Sequence, residues 1–252
     1  MDIIQILKDE LQINRSQAEA AVKLIDEGNT IPFIARYRKE ATGSMDDQTL
    51  RALDERLSYL RKLDDQKETV HNSITEQGAM TPEIAAALEK AKTLAEVEDI
   101  YRPYKPKRKT RASIARARGL GPLAARLLGQ RPEDEPALLA RQYITEEVPD
   151  TEAALAGARD ILAEGFSDSA NLRATLRSLY NATALVESKA AKKDTDSVYS
   201  GYYDYSEPAA KMAGHRILAV DRGEREGFLK VSVTVDAARA VRLLTERTVK
   251  ND

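Results

Sequence analysis

Two stretches of this 252-residue chain carry cations at spacings suited to a polyanion. Between Arg102 and Arg118 stand eight basic residues and no acid: Arg102, Lys105, Lys107, Arg108, Lys109, Arg111, Arg116 and Arg118. Closely spaced cations release condensed counterions from a phosphate backbone, which makes Lys105, Lys107, Arg108, Lys109 and Arg111 candidates for phosphate contact. A solvated basic loop paired with acids elsewhere competes with that reading, since the chain holds 41 Asp and Glu. Tyr101 and Tyr104 flank the run; they can stack on bases or pack around the turn at Pro103. In the second stretch, Arg36 and Lys39 lie three apart and share one face of a helix whose Ile34 points inward. Such a helix can enter a major groove as the second helix of a helix-turn-helix. Alternatively Arg36 and Arg38 pair with Asp46, Asp47 or Glu55, and this weighs more because a recognition helix normally offers Asn, Gln or Ser among its basic residues.

Enzymatic chemistry finds less support. The two histidines, His71 and His215, have no nucleophile at a catalytic spacing, and His71 fits a surface or packing position on a helix. The charges from Arg222 to Glu226 alternate ahead of a turn and read as a structural ion-pair network. Gly119-Leu120-Gly121-Pro122 lacks the third glycine and the preceding strand of a dinucleotide loop. The absence of cysteine removes thiolate nucleophiles, disulfides and cysteine zinc sites, and fits a reducing, cytoplasmic compartment. No enzyme activity, cofactor, metal or small-molecule substrate is expected.

Helices must position these cations. Asp2 caps an amphipathic helix to Leu11, and Asn14 with Gln17 opens a second that ends at Gly28. Pro32 sits in the first turn of a third. From Asp46 to Gln77 there is no Pro or Gly, and Leu50, Leu53, Leu57, Leu60, Leu63, Val70 and Ile74 fall on one face, which predicts one long helix closed by Gly78. Thr81-Pro82-Glu83 starts another, and Thr93 with Glu96 a further one that Pro103 ends. Short helices follow around Pro122 to Leu128, Asp134 to Tyr143, Thr151 to Phe166 and Ala170 to Tyr180. Lys189 to Asp196 reads as an exposed linker. Val231, Val233 and Val235 then alternate with polar residues as a half-buried strand, and Ala237 to Lys250 returns to helix.

The fold class expected is mainly α: a multi-helix array with an N-terminal helix-turn-helix-like segment, one long helix, and a small α+β segment near the C-terminus. A hydrophobic share of 42% supports a full core, which with 3 Phe and no Trp must rest on Leu, Ile, Val and Ala. No apolar run approaches the roughly 18 residues needed to span a bilayer, so no membrane partner is expected. A formal net charge of -2 argues against a globally basic nucleic-acid binder and leaves only local contacts.

Thr30 to Gly43, TIPFIARYRKEATG, closely resembles a motif of the Tex family of bacterial transcription accessory proteins. The likeness continues through LRALDERLSYL (Leu50 to Leu60), DIYRPYKPKRKTRA (Asp99 to Ala112), DILAE (Asp160 to Glu164), YYDYSEP (Tyr202 to Pro208) and HRILAVDRGEREGFL (His215 to Leu229). The resemblance implies a helical N-terminal domain over 1–190, helix-turn-helix-like over about 1–78, and a partial mixed α/β segment over 191–252. It also implies a truncated chain, ending before RNase-H-like, helix-hairpin-helix and OB-fold domains. The function expected is a nucleic-acid-associated scaffold of a transcription accessory protein, meeting RNA or DNA weakly through auxiliary phosphate contacts. The alternative is a protein-interaction module docking the transcription or translation machinery, with RNA polymerase or the ribosome as candidate partners.

Overall fold

The computed structural model describes residues 1–106, 109–192 and 197–250; Lys107 and Arg108, two of the expected phosphate contacts, lie outside the described residues, as do positions 193–196 of the expected linker. The described residues form thirteen α-helices and one three-stranded sheet, so the fold is mainly α with a small α+β segment near the C-terminus. Two compact units divide the chain, Met1–Tyr104 and Lys105–Asp252.

In the first unit, α1 (Ile3–Leu11) begins where Asp2 accepts from the Gln5 amide. A reciprocal Asn14–Gln17 capping box starts α2 (Arg15–Asp26), and α3 (Ile31–Tyr37) carries Pro32 in its first turn. The long helix α4 (Asp47–Glu76) contributes to both cores of the unit, and its seven expected stripe residues are all at most 2% exposed. Its first half packs Leu50, Leu53, Leu57 and Leu60 against Leu7, Ala21 and Ile34 of the three preceding helices. The second half packs Leu63, Val70 and Ile74 against α5 (Pro82–Lys90) and α6 (Leu94–Tyr101). One helix thus serves as the backbone of two successive cores. Burying a leucine contributes about 1.5–3 kcal/mol, so this stripe outweighs the weak intrinsic preference of any single turn.

The second unit opens with α7 (Arg111–Ala117), α8 (Gly121–Gly129) and α9 (Pro136–Arg141), all packed on α10 (Thr151–Asp168). There α7 occupies part of the basic run, where no helix is expected; Thr110 caps it by accepting from the Ser113 amide while Ser113 answers to the Thr110 amide. After α11 (Ala170–Thr183), strand β1 (Leu185–Ala190) lies between β2 (Asp204–Pro208) and β3 (Leu229–Thr234), antiparallel to both. Val186 faces Val233 on one side and Glu207 on the other. Lys189 and Ala190 therefore end the central strand rather than begin a linker, and the strand expected near Val233 pairs within the chain. The alternating charges after His215 form α12 (Gly214–Arg225), whose Gly223 lies beneath Leu229 and Tyr199. The chain continues into α13 (Ala237–Thr248). Among the described residues no helix is long and apolar enough to cross a membrane.

Candidate nucleic-acid interface

Helix α3 separates its residues cleanly by face. Ile34 is fully buried and Ile31 and Ala35 pack beside it, which places Phe33, Arg36 and Tyr37, at i, i+3 and i+4, on the opposite side. Phe33 is 36% and Tyr37 60% exposed, with ring centroids 5.3 Å apart and tilted by 45°. The Arg38 guanidinium lies 5.4 Å from the Phe33 ring centre and that of Arg36 6.0 Å from the Tyr37 ring centre, so cations and rings interleave on one surface. Arg36, Arg38 and Lys39 are all exposed.

A tight turn holds the cations that follow α3. The Arg38 amide donates to Ile34 O at 3.0 Å and the Ser44 amide to Lys39 O at 2.7 Å. Buried Thr42 donates its hydroxyl to the Arg38 carbonyl at 3.2 Å. Gly43 and Ser44 adopt positive φ of 59° and 63°, a reversal that Gln17 secures from α2. Gln17 Nε2 donates to Thr42 O at 3.3 Å and Gly43 O at 3.1 Å, while its Oε1 accepts from the Asn14 amide at 2.9 Å. One side chain thus caps α2 and clamps the turn bearing Arg38 and Lys39. The capping spacing reveals the first duty, but no sequence signal reveals the second.

The expected pairing of Arg36 and Arg38 with Asp46, Asp47 or Glu55 is not what the fold builds. Asp46 accepts from the Thr49 amide at 2.7 Å as the N-cap of α4, and that bond holds its carboxyl below the ordinary aspartate value. Asp47 is taken by Arg51, one turn along, at 2.6 Å. Local partners win because they cost less side-chain ordering than partners across a turn. Elsewhere in Met1–Tyr104, Arg15, Arg51, Arg56 and Arg61 each hold a carboxylate, and Arg102 is engaged as well. Among the described residues, Arg36, Arg38 and Lys39 form no ion pair; the one hydrogen bond of the Arg38 side chain goes to the Tyr37 carbonyl, at 3.4 Å.

The long basic run is more occupied. Arg111 approaches Asp160 at 3.6 Å, Arg116 pairs with Glu164, and Lys105 has a partner too. Lys109 is exposed and without an ion pair among the described residues, and the Arg111 side chain remains 87% exposed despite its pair. Tyr101 and Tyr104 pack into the second core of the first unit, and Tyr101 shares a 3.0 Å hydrogen bond with Ser73. The sequence-expected cations therefore fall into two sets in separate units, Arg36 and Lys39 in one and Lys105, Lys109 and Arg111 in the other, and Phe33, Tyr37 and Arg38, which the sequence reading does not single out as site residues, join the first set.

Comparison with known proteins bears on the whole chain. Residues 1–75 match the Tex-like protein N-terminal domain and residues 131–251 the Tex central region-like family. The chain is 47% identical to the transcriptional accessory protein Tex of Neisseria gonorrhoeae over 92% of its own length and 31% of that relative. It is 46% identical to protein tex of Bordetella pertussis, over 93% of this chain and 30% of the relative. A human S1 RNA-binding domain-containing protein 1 is 31% identical over 93% of this chain and 24% of its own length. The chain thus spans about a third of its bacterial relatives. With both models falling in order along it and the bacterial likeness running nearly end to end, the chain belongs to the Tex family.

Proposed function

We propose that this chain serves as a nucleic-acid-associated scaffold of a cytoplasmic transcription accessory protein, without a catalytic step of its own. Its helical array holds cations in fixed positions for auxiliary contacts to RNA or DNA phosphates. The observation that carries the reading is the surface of Arg36, Arg38 and Lys39: three exposed cations without ion pairs among the described residues, in a unit where the other arginines are engaged. Fixed, unneutralised cations displace counterions from a polyanion, whereas paired ones must first break a bond. In this reading α2, the turn at Gly28 to Thr30 and α3 act as a helix-turn-helix-like support, and Lys105, Lys109 and Arg111 contribute a second, weaker set of contacts. The names of the relatives, transcriptional accessory and S1 RNA-binding, agree with such a role.

Titration of the chain with labelled RNA and DNA over a range of salt concentrations tests it. Binding should weaken steeply with salt, and changing Arg36, Arg38 and Lys39 together to alanine should lower the slope by roughly 0.7–0.9 per lost contact. The same change at Lys105, Lys109 and Arg111 should lower it less. No binding, or binding indifferent to salt, removes the proposal. A second reading, a protein-interaction module for RNA polymerase or the ribosome, draws on α13, none of whose residues is buried and whose Val241 is 62% exposed. It would gain if the charge variants changed nothing.

A further inference from the structure

We propose that Phe33 and Tyr37, with Arg36, Arg38 and Lys39 around them, form a stacking platform for single-stranded nucleic acid. The inference rests on the nucleic-acid reading above and adds which strand state the site selects.

Cations alone do not distinguish a duplex from a single strand, but exposed rings do. Duplex bases already stack on one another and present only their edges, whereas unpaired bases have open faces that an aromatic ring can cover. Helix α3 spends its whole inward face on Ile31, Ile34 and Ala35, so Phe33 and Tyr37 are surplus to the core. They stand one helical turn apart with centroids 5.3 Å from each other, close enough to act as one apolar surface. Each ring has a guanidinium over one of its faces, Arg36 6.0 Å from the Tyr37 centre and Arg38 5.4 Å from the Phe33 centre, which leaves the opposite faces for a base, and Lys39 follows in the turn clamped by Gln17. A base laid on the rings therefore brings its own phosphate and that of its neighbour next to guanidinium or ammonium groups. Seven residues of α3, whose four exposed positions are Pro32, Phe33, Arg36 and Tyr37, offer little of the hydrogen-bonding face that direct readout of a major groove requires. This geometry favours stacking without sequence preference, on either sugar.

The test measures binding of the whole chain to four labelled probes of equal length. These are a single-stranded RNA of mixed A and U, the DNA of the same sequence, the blunt DNA duplex, and an abasic strand carrying the same phosphates. Both single strands should bind at least about fivefold more tightly than the abasic strand and the duplex. Tyr37→Leu and Phe33→Leu should each weaken single-strand binding about fivefold or more while leaving the salt slope unchanged, and Tyr37→Phe should bind like the parent. Tyr37 is exposed enough for its substitution to spare the fold, and it decides the matter if Phe33→Leu disturbs packing. Equal affinity for the abasic strand or the duplex, or leucine variants that bind like the parent, overturns the platform while leaving salt-dependent binding, and so the scaffold reading, intact. A chain that binds none of the probes overturns both.

Discussion

Replacing Gly43 with alanine tests whether the turn that presents Arg38 and Lys39 is held by a clamp from α2. Gly43 adopts φ +59°, where an L-residue costs about 1–2 kcal/mol, and an added Cβ would lie 2.5 Å from Gln17 Nε2. Being the end of a flexible side chain, that amide can move, but moving forfeits its bonds to Thr42 O and Gly43 O. Each such bond contributes about 0.5–1.5 kcal/mol net, and half-buried Gln17 recovers part of that from water. Together the terms come to about 2–3 kcal/mol, a large share of a small unit's stability. Urea unfolding of the parent, Gly43→Ala, Gln17→Ala and the double variant measures it as a double-mutant cycle. With Gln17 already shortened, alanine at 43 has room and should cost only its backbone term, so the two changes should couple by about 1 kcal/mol. Strict additivity, or a cost for Gly43→Ala below about 0.5 kcal/mol, would refute the clamp.

Two further outcomes follow from the same geometry. In the second unit a Cβ on Gly157 of α10 would fall on Leu120 Cδ1 and lie 3.3 Å from Ala115 Cβ, both core residues. Gly157→Ala should therefore destabilise by about 1–3 kcal/mol of overpacking, against the roughly 0.5–1 kcal/mol that alanine gains within a helix; a stabilised variant in thermal unfolding would show that the α7–α10 contact is looser than described. In the first unit, hydrogen bonds from Arg56 and Arg61 hold the carboxyls of Glu10 and Asp26 below their ordinary values. A carboxyl whose folded-state pKa is depressed adds stability that is complete above its unfolded value and is lost as pH falls through the folded one. Urea midpoints should accordingly hold near neutrality and fall in acid below the ordinary carboxylate range, more steeply for the parent than for a Glu10→Gln, Asp26→Asn double variant; parallel curves would mean these pairs contribute nothing measurable.

How much of this was legible in the sequence depends on how far apart the deciding residues stand. Helix α4 needed only local information: thirty residues free of Pro and Gly, a stripe of leucines, and Asp46 placed to cap it. The N-terminal capping box and the Pro32 start of α3 were equally local. Strand β1 was not, because LVESKA alternates weakly and becomes a strand only by lying between β2 and β3, one of them about forty residues onward. The cations show the same rule in electrostatic form. Proximity in sequence suggested that Asp46 and Asp47 would neutralise Arg36 and Arg38, but the free amide of Thr49 and the guanidinium of Arg51 stood nearer, at helical spacing, and took both carboxylates. Having lost their acids, the arginines lie against Phe33 and Tyr37, aromatic residues the core does not require. The helical period alone places 31, 34 and 35 on one face and 33, 36 and 37 on the other, so an outward aromatic pair was implicit in TIPFIARYRK. What the sequence could not supply was the loss of competitors for the cations beside it, and that loss leaves Arg36, Arg38 and Lys39 exposed and without ion pairs among the described residues.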